Sequence, residues 1–438
     1  MSKRDGSHQD EQQDIKSQIA EKEVSRREFL QKTALLGLTA AVPGSLFGLG
    51  TAMAADESAA GAEVQKKITG RVRVRELGIK IGRFNPGKWN AITDVPGVKV
   101  GYTTLISGEG QLVEGRGPVR TGVTVILPHD GNLRADPLFA APHVLNGNGE
   151  MTGLAWVVES GLLTSPIGIT NTHSVGVVRD ALIEYDVKNG NIKQGTPWSL
   201  PVVAETYDGG LSDINGFHVK PEHVWQALES ASDGVIAEGN VGGGTGMVCH
   251  GFKGGTGTSS RVLPESQGGW TVGVLVQANY GSKELLRVDG VPVGMELVQK
   301  EKGTAFTGEV PAEMGSIIII VATNAPVIPT QCRRLAQRAG LGVARMGGTG
   351  GNGSGDIFLA FSTANRSIES ANPAVPSSVK MLSHNAMSPL FEAVIEATEE
   401  AILNAMCKAE TMTGANGKTV TALPLDDLVD IMKQYKRL

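Results

Sequence analysis

Residues 317 to 322 read Ile-Ile-Ile-Ile-Val-Ala, a run of β-branched side chains with no polar break. Stiff at χ1, such residues favour a pleated strand over a helix. With apolar groups on both sides of the pleat, that strand has to be covered on both faces. Similar segments occur at 122–127, 272–276 and 357–361, each bounded by Gly, Asn, Asp or Pro. Helical patterns lie between and after them. Thr330 to Ala339 follows Pro326 and Pro329, and in Ser388 to Met406 the residues Leu390, Ala393, Val394, Ala397, Ala401 and Ile402 fall on one stripe. Strands needing two covers, alternating with amphipathic helices, define a layered α/β fold. No repeat period, Pro/Ser-rich linker or break in composition interrupts the chain beyond about residue 70, so 71–438 reads as one catalytic-size domain.

Charge and cysteine content narrow the function. Forty Lys and Arg against 45 Asp and Glu give a net charge of -5, which supplies no basic field for nucleic acid. The three cysteines, Cys249, Cys332 and Cys407, form no CxxC pair, and no local His/Cys cluster has zinc-finger spacing. The eight histidines, among them His129, His143, His173 and His250, are scattered, so no metal is implied. At the start of the chain, Ser25-Arg26-Arg27-Glu28-Phe29-Leu30 precedes a Gly/Ala-diluted apolar run that ends in Ala52-Met53-Ala54. Paired arginines, weak hydrophobicity and a small-x-small site are the signs of a twin-arginine signal. The expectation is export to the periplasm through the twin-arginine machinery, cleavage after Ala54, a loose leader over 55–70, and no lasting membrane anchor.

Three familiar motifs fail on context. Gly348-Thr-Gly-Gly-Asn-Gly353 satisfies GxGxxG, yet it follows a helical pattern and precedes a strand, the reverse of the order that aims helix N–H groups at a pyrophosphate. The glycines at 239–246 and 254–257 lack the GK[ST] of a phosphate loop, and Lys253 precedes the second group where a phosphate-gripping lysine has to follow. Ser354, in Asn352-Gly-Ser-Gly-Asp356, misses the first glycine of the hydrolase elbow.

What remains is Gly315-Ser316 at the mouth of the isoleucine strand. A serine hydroxyl attacks poorly without an adjoining base, and one such base is the serine's own α-amino group, which exists only after the preceding peptide bond opens. Glycine at 315 lets its carbonyl twist toward the serine oxygen for an N-to-O acyl shift. An α-amine titrates at about 7.7–8.0, so near neutrality a useful fraction can accept the hydroxyl proton. On this pattern alone the ordinary reading, Ser316 as the first residue of a strand, outweighs the catalytic one.

The chain resembles the self-processing L-aminopeptidase/D-esterase and β-peptidyl aminopeptidase family from about Asn90 to the C-terminus. The signatures are Asn90 to Gly101, Asn171-Thr-His-Ser-Val-Gly176, Gly239 to Gly246, Gly315-Ser316 and Asn352 to Ile357. The resemblance implies a four-layer α-β-β-α sandwich akin to N-terminal-nucleophile hydrolases but with its own connectivity. It implies autocleavage between Gly315 and Ser316 into an α chain (55–315) and a β chain (316–438), and a homo-oligomer, a tetramer of αβ heterodimers.

By the same resemblance Asn279 supplies an oxyanion donor and Tyr207 stands beside the nucleophile. Ser354 and Asp356 orient the Ser316 hydroxyl and hold its ammonium form. Here Ser354-Gly355-Asp356 replaces a Ser-x-Glu seen in relatives. Glu205 is a further candidate for a substrate ammonium group, although nothing in its spacing separates it from a surface glutamate.

The expected activity is release of N-terminal residues from small peptides, amides or esters, of L-α, D-α or β-amino type, with no cofactor. An acyltransferase of the ornithine acetyltransferase-like architecture and an unprocessed periplasmic binding protein are the alternatives.

Overall fold

The computed structural model describes residues 68–195, 198–302, 314–369 and 374–438. The twin-arginine signal, the leader up to residue 67 and residues 303–313 ahead of the expected cleavage point lie outside the described residues.

Among the described residues, fifteen strands and seven helices follow in chain order. They are β1 Lys99–Ser107, β2 Val119–Leu127, β3 Leu138–Val144, α1 Leu154–Ser160, β4 Leu162–Leu163, β5 Ile167–Asn171, α2 Val175–Lys188, β6 Val202–Thr206 and α3 Pro221–Glu229. Next come β7 Val248–Cys249, β8 Phe252–Lys253, β9 Gly255–Val262, β10 Thr271–Asn279, α4 Val293–Lys302, β11 Met314–Thr323 and α5 Pro329–Arg345. The chain ends with β12 Gly353–Ser354, β13 Ile357–Ser362, α6 Ser388–Lys408, β14 Met412–Thr413, β15 Thr419–Val420 and α7 Leu425–Gln434.

Two sheets carry the fold. The smaller runs β1-β2-β5-β6. The larger runs β4-β3-β13-β11-β10-β9, with β12 also paired to β11. Each sheet holds a β-α-β unit with parallel strands: β5-α2-β6 in the small sheet and β11-α5-β13 in the large one.

The isoleucine strand shows why four layers form. Ile317, Ile319 and Val321 pack with Cys332, Leu335 and Ala336 of α5 and with Val394 and Ala401 of α6. Ile318, Ile320 and Ala322 face the opposite way, into a core shared with Ile126, Ile169, Val202 and Ala204 of the small sheet. The small sheet's other face buries Val123, Val125 and Val203 against Val178 and Leu182 of α2 and Val224 and Leu228 of α3. Strand alternation thus assigns one residue set to each neighbouring layer, and the order is helix, sheet, sheet, helix.

The helices exceed their sequence patterns. Pro329 is the first residue of α5 rather than its prelude, because a proline's missing N–H costs nothing in the first turn. Helix α6 is buried well beyond the predicted stripe and also encloses Glu396, Glu399, Glu400 and Asn404. Its carboxylates meet Arg261 of β9, whose Nε lies 3.0 Å from Glu396 and whose guanidinium reaches Glu400 at 2.8 Å, all three side chains being inaccessible. The Gly239–Gly246 segment is threaded between the sheets. A Cβ on Gly243 would lie 2.2 Å from the Gln277 side chain and 2.7 Å from the Ile169 carbonyl, so these glycines serve close packing.

All three cysteines are buried. Among the described residues no helix is long and apolar enough to cross a membrane.

Candidate active site

Strand β11 lies between β10 and β13, and Ser316 stands near its start, opposite Asn279 in the antiparallel register with β10. Asn279 is therefore the last residue of a strand. A turn position, the other reading open to it in the sequence, is excluded. On the other side β12 and β13 keep one parallel register with β11, Gly315 pairing with Ser354 and Ile318 with Ile357. The strand is interrupted at Gly355 and Asp356, beside Ser316, and there side chains replace ladder bonds. The Gly355 N–H donates to Ser316 Oγ at 3.1 Å, and the Ile317 N–H donates to Asp356 Oδ1 at 3.1 Å. Ser354 Oγ donates to the same Asp356 oxygen at 2.6 Å. Asn146 braces the acid from outside, its Oδ1 accepting the Asp356 N–H at 2.7 Å and its Nδ2 donating to Oδ2 at 3.3 Å.

Gly315 adopts φ +119°, a conformation that L side chains rarely take, and a Cβ there would lie 1.9 Å from the Asn279 carbonyl oxygen. Glycine is required on both counts. Ser316 and Asn279 are each 6% exposed, at the floor of a cleft of about 780 Å³. Asn279 is held at both ends of its amide. Oδ1 accepts the Val248 N–H at 2.8 Å, and Nδ2 donates to the Tyr207 carbonyl at 3.1 Å, which leaves its second hydrogen for another acceptor. Tyr207 lines the cleft and is 54% exposed, with its hydroxyl lying over Gly209. Its backbone carbonyl makes the bond to Asn279.

The structure thus brings Gly315, Ser316, Asn279, Ser354 and Asp356 together, with Tyr207 at the rim. It adds groups that spacing did not single out. The Gly355 N–H is a backbone donor, invisible to residue-type reasoning. Glu205, the last residue but one of β6, lies inside the cleft, 3% exposed, where it accepts the Glu150 N–H at 2.9 Å and the Thr172 hydroxyl. Burial raises its pKa, against those two hydrogen bonds. A signal for it existed: Glu205 is the one acid in the apolar run Val202-Val-Ala-Glu-Thr206, which forms a fully buried strand. Thr172, from the Asn171–Gly176 signature, is what holds it. Beneath lies Asp208, 1% exposed, whose carboxyl is pushed by burial up to about 7. Thr121 and Asn171 face that carboxylate without closing a hydrogen bond to either oxygen. Lys418 completes the rim.

A nucleophile-bearing strand end, a fixed amide donor and a buried carboxylate in one cleft is an arrangement for acyl transfer from an amine-bearing substrate. Among the described residues no group of three or more His, Cys, Asp or Glu side chains is placed to hold a metal ion.

Comparison with known proteins agrees. The profile of peptidase family S58 matches residues 90–420. The β-peptidyl aminopeptidase BapA of Sphingosinicella microcystinivorans is 52% identical over 375 residues, covering 84% of this chain and 93% of that protein. A β-aminopeptidase from Burkholderia sp. superposes with TM-score 0.75 at 50% identity, over 83% of this chain and 99% of that one. The L-aminopeptidase D-Ala-esterase/amidase of Ochrobactrum anthropi, described as a prototype serine aminopeptidase with a variant Ntn-hydrolase fold, gives TM-score 0.75 at 42% identity, over 84% and 99%. With its layers, its cleft and these likenesses in agreement, the chain belongs to peptidase family S58 and is an aminopeptidase.

Proposed function

We propose that this aminopeptidase makes its own catalyst by opening the Gly315–Ser316 peptide. Ser316 Oγ adds to the Gly315 carbonyl carbon and the C–N bond breaks as the hydroxyl proton passes to nitrogen. Water then hydrolyses the ester, releasing the Gly315 carboxylate and restoring the hydroxyl beside a free α-amine. The supporting observation is the Gly315–Ser316 junction itself. A positive-φ glycine pressed on the Asn279 backbone precedes a serine whose Oγ already receives the Gly355 N–H.

In turnover, Ser316 Oγ attacks the scissile carbonyl of the substrate while its own amine takes the proton and then delivers it to the leaving amine. The second Asn279 Nδ2 hydrogen and the Gly355 N–H stabilise the developing oxyanion. Asp356, fixed by Ser354 and Asn146, balances the charge of the ammonium form. Glu205 receives the ammonium of small peptides, amides or esters with L-α, D-α or β-amino residues, and Tyr207 borders the entry. Export by the twin-arginine route, and assembly as a tetramer of αβ heterodimers, belong to the same reading.

Mass spectrometry of protein from its native host tests it. A fragment beginning at Ser316 is expected, and Ser316→Ala is expected to remain one chain without turnover. An uncut chain of full activity overturns the reading. Asn279→Ala is expected to slow both processing and turnover by about 10²–10³, the usual loss for one oxyanion donor, and an unchanged kcat removes it from that role.

A further inference from the structure

Lys253, at the end of β8, is completely buried. Its Nζ donates to the Met247 carbonyl at 2.7 Å and to the Gly254 carbonyl at 2.9 Å. The titratable group facing it is the Cys249 thiol, itself buried, and burial pushes the lysine down to about 7. A buried ammonium that meets carbonyls instead of a carboxylate is a costly arrangement. The position of the first carbonyl suggests its use. Met247 C=O and Val248 N–H are the two ends of one peptide group, and that N–H is the donor to Asn279 Oδ1 at 2.8 Å. Lys253 Nζ and the Gly254 N–H, at 2.9 Å, occupy the carbonyl together, so the plane of this peptide is clamped from behind.

We infer that Lys253 is a positioning residue of the oxyanion site, setting through the Met247–Val248 peptide which end of the Asn279 amide faces the reacting carbonyl. An amide is nearly symmetric in shape but not in charge. Turned over, Asn279 would present an oxygen lone pair to the oxyanion instead of an N–H. The Val248 N–H prevents that by requiring an acceptor on its side, as the Tyr207 carbonyl requires a donor on the other. Without Nζ, the peptide is held at its carbonyl by the Gly254 N–H alone and the clamp loosens. Lys253 touches no substrate in this scheme.

The inference rests on the proposed role of Asn279, and a double-mutant cycle separates the two. Lys253→Met keeps the apolar stem and removes the donor. In the otherwise native chain it is expected to lower kcat about 10- to 100-fold with KM nearly unchanged, and to slow self-cleavage comparably. In an Asn279→Ala background the same substitution is expected to cost little more, because the group it positions is gone. Lys253→Gln, which keeps an N–H donor, is expected to recover part of the rate, and it carries the cycle if Lys253→Met does not fold by circular dichroism. Equal losses in both backgrounds, or a native kcat in Lys253→Met, overturn the inference. A native rate in Asn279→Ala alone would instead overturn the oxyanion assignment.

Discussion

Two sets of buried carboxylates, one on α6 and one at the cleft, have opposite surroundings. On the helical side of the large sheet, Glu396 and Glu400 of α6 share Arg261. Glu400 also accepts from Arg75 Nε at 2.7 Å and from the Asn90 amide, and Glu396 accepts the Arg83 and Phe84 N–H groups. Burial pushes the Glu400 carboxyl up, but Arg261 and then Arg75 outweigh it, so its pKa ends below the ordinary value. Glu205 in the cleft and Asp208 beneath it have hydroxyls, a side-chain amide and backbone N–H groups for company and no arginine, and burial carries both upward. Arginines answer the first group, whereas no arginine answers the second. On the proposed reading, carboxylates that hold the fold and a carboxylate that receives a substrate ammonium differ in whether an arginine already balances the charge.

Arg261→Met tests the balanced group most severely, since it removes the one cation that the two buried carboxylates share. It is expected to destabilise the protein by about 3–5 kcal/mol, read from denaturant unfolding. A loss below about 1 kcal/mol would erase the contrast.

Glu205→Gln should act the other way. It is expected to lower kcat/KM on substrates with a free amino group roughly 10- to 100-fold, chiefly through KM, a loss of about 1.4–2.7 kcal/mol, while Tm stays level or rises. A drop in Tm like that of Arg261→Met would assign Glu205 to the structural group.

Asp208→Asn refines the contrast through pH. Because the folded-state pKa of Asp208 is raised to about 7, its protonated form favours folding. That contribution is complete below the unfolded-state pKa near 4 and is lost as pH climbs through about 7. The variant is expected to lose this slope and to exceed the native protein in Tm at pH 8, by roughly 1–2 kcal/mol in stability. Parallel Tm curves from pH 4 to 8 would show that Asp208 does not titrate in that window.

The layered core was legible because burial on two faces is written in composition. A strand of isoleucine and valine has to be sandwiched, and the odd and even residues of 317–322 enter different cores. The proposed nucleophile drew notice through the oddity of Gly-Ser before such a strand, together with the surrounding signatures. Register was not. Nothing local places Asn279 opposite Ser316, or the Gly355 N–H on its oxygen, because both follow from pairing among segments 30 to 40 residues apart. For the same reason spacing does not separate the candidate Glu205 from a surface glutamate, and it says of Lys253 only that it stands on the wrong side of the glycines for a phosphate loop. A charge in an apolar strand announces a partner, but it does not say whether that partner is an arginine, a peptide carbonyl or an absent substrate.

The placement of β11 has a bearing on what severing the chain can do. Its ten residues run between a neighbour that precedes residue 315 and another that follows it. A nick at its head leaves two polypeptides woven into one ladder, with Arg261 from one gripping two glutamates of the other. Neither piece can drift off without unzipping the whole core, so differently labelled preparations, once mature, are expected to keep their original halves when mixed.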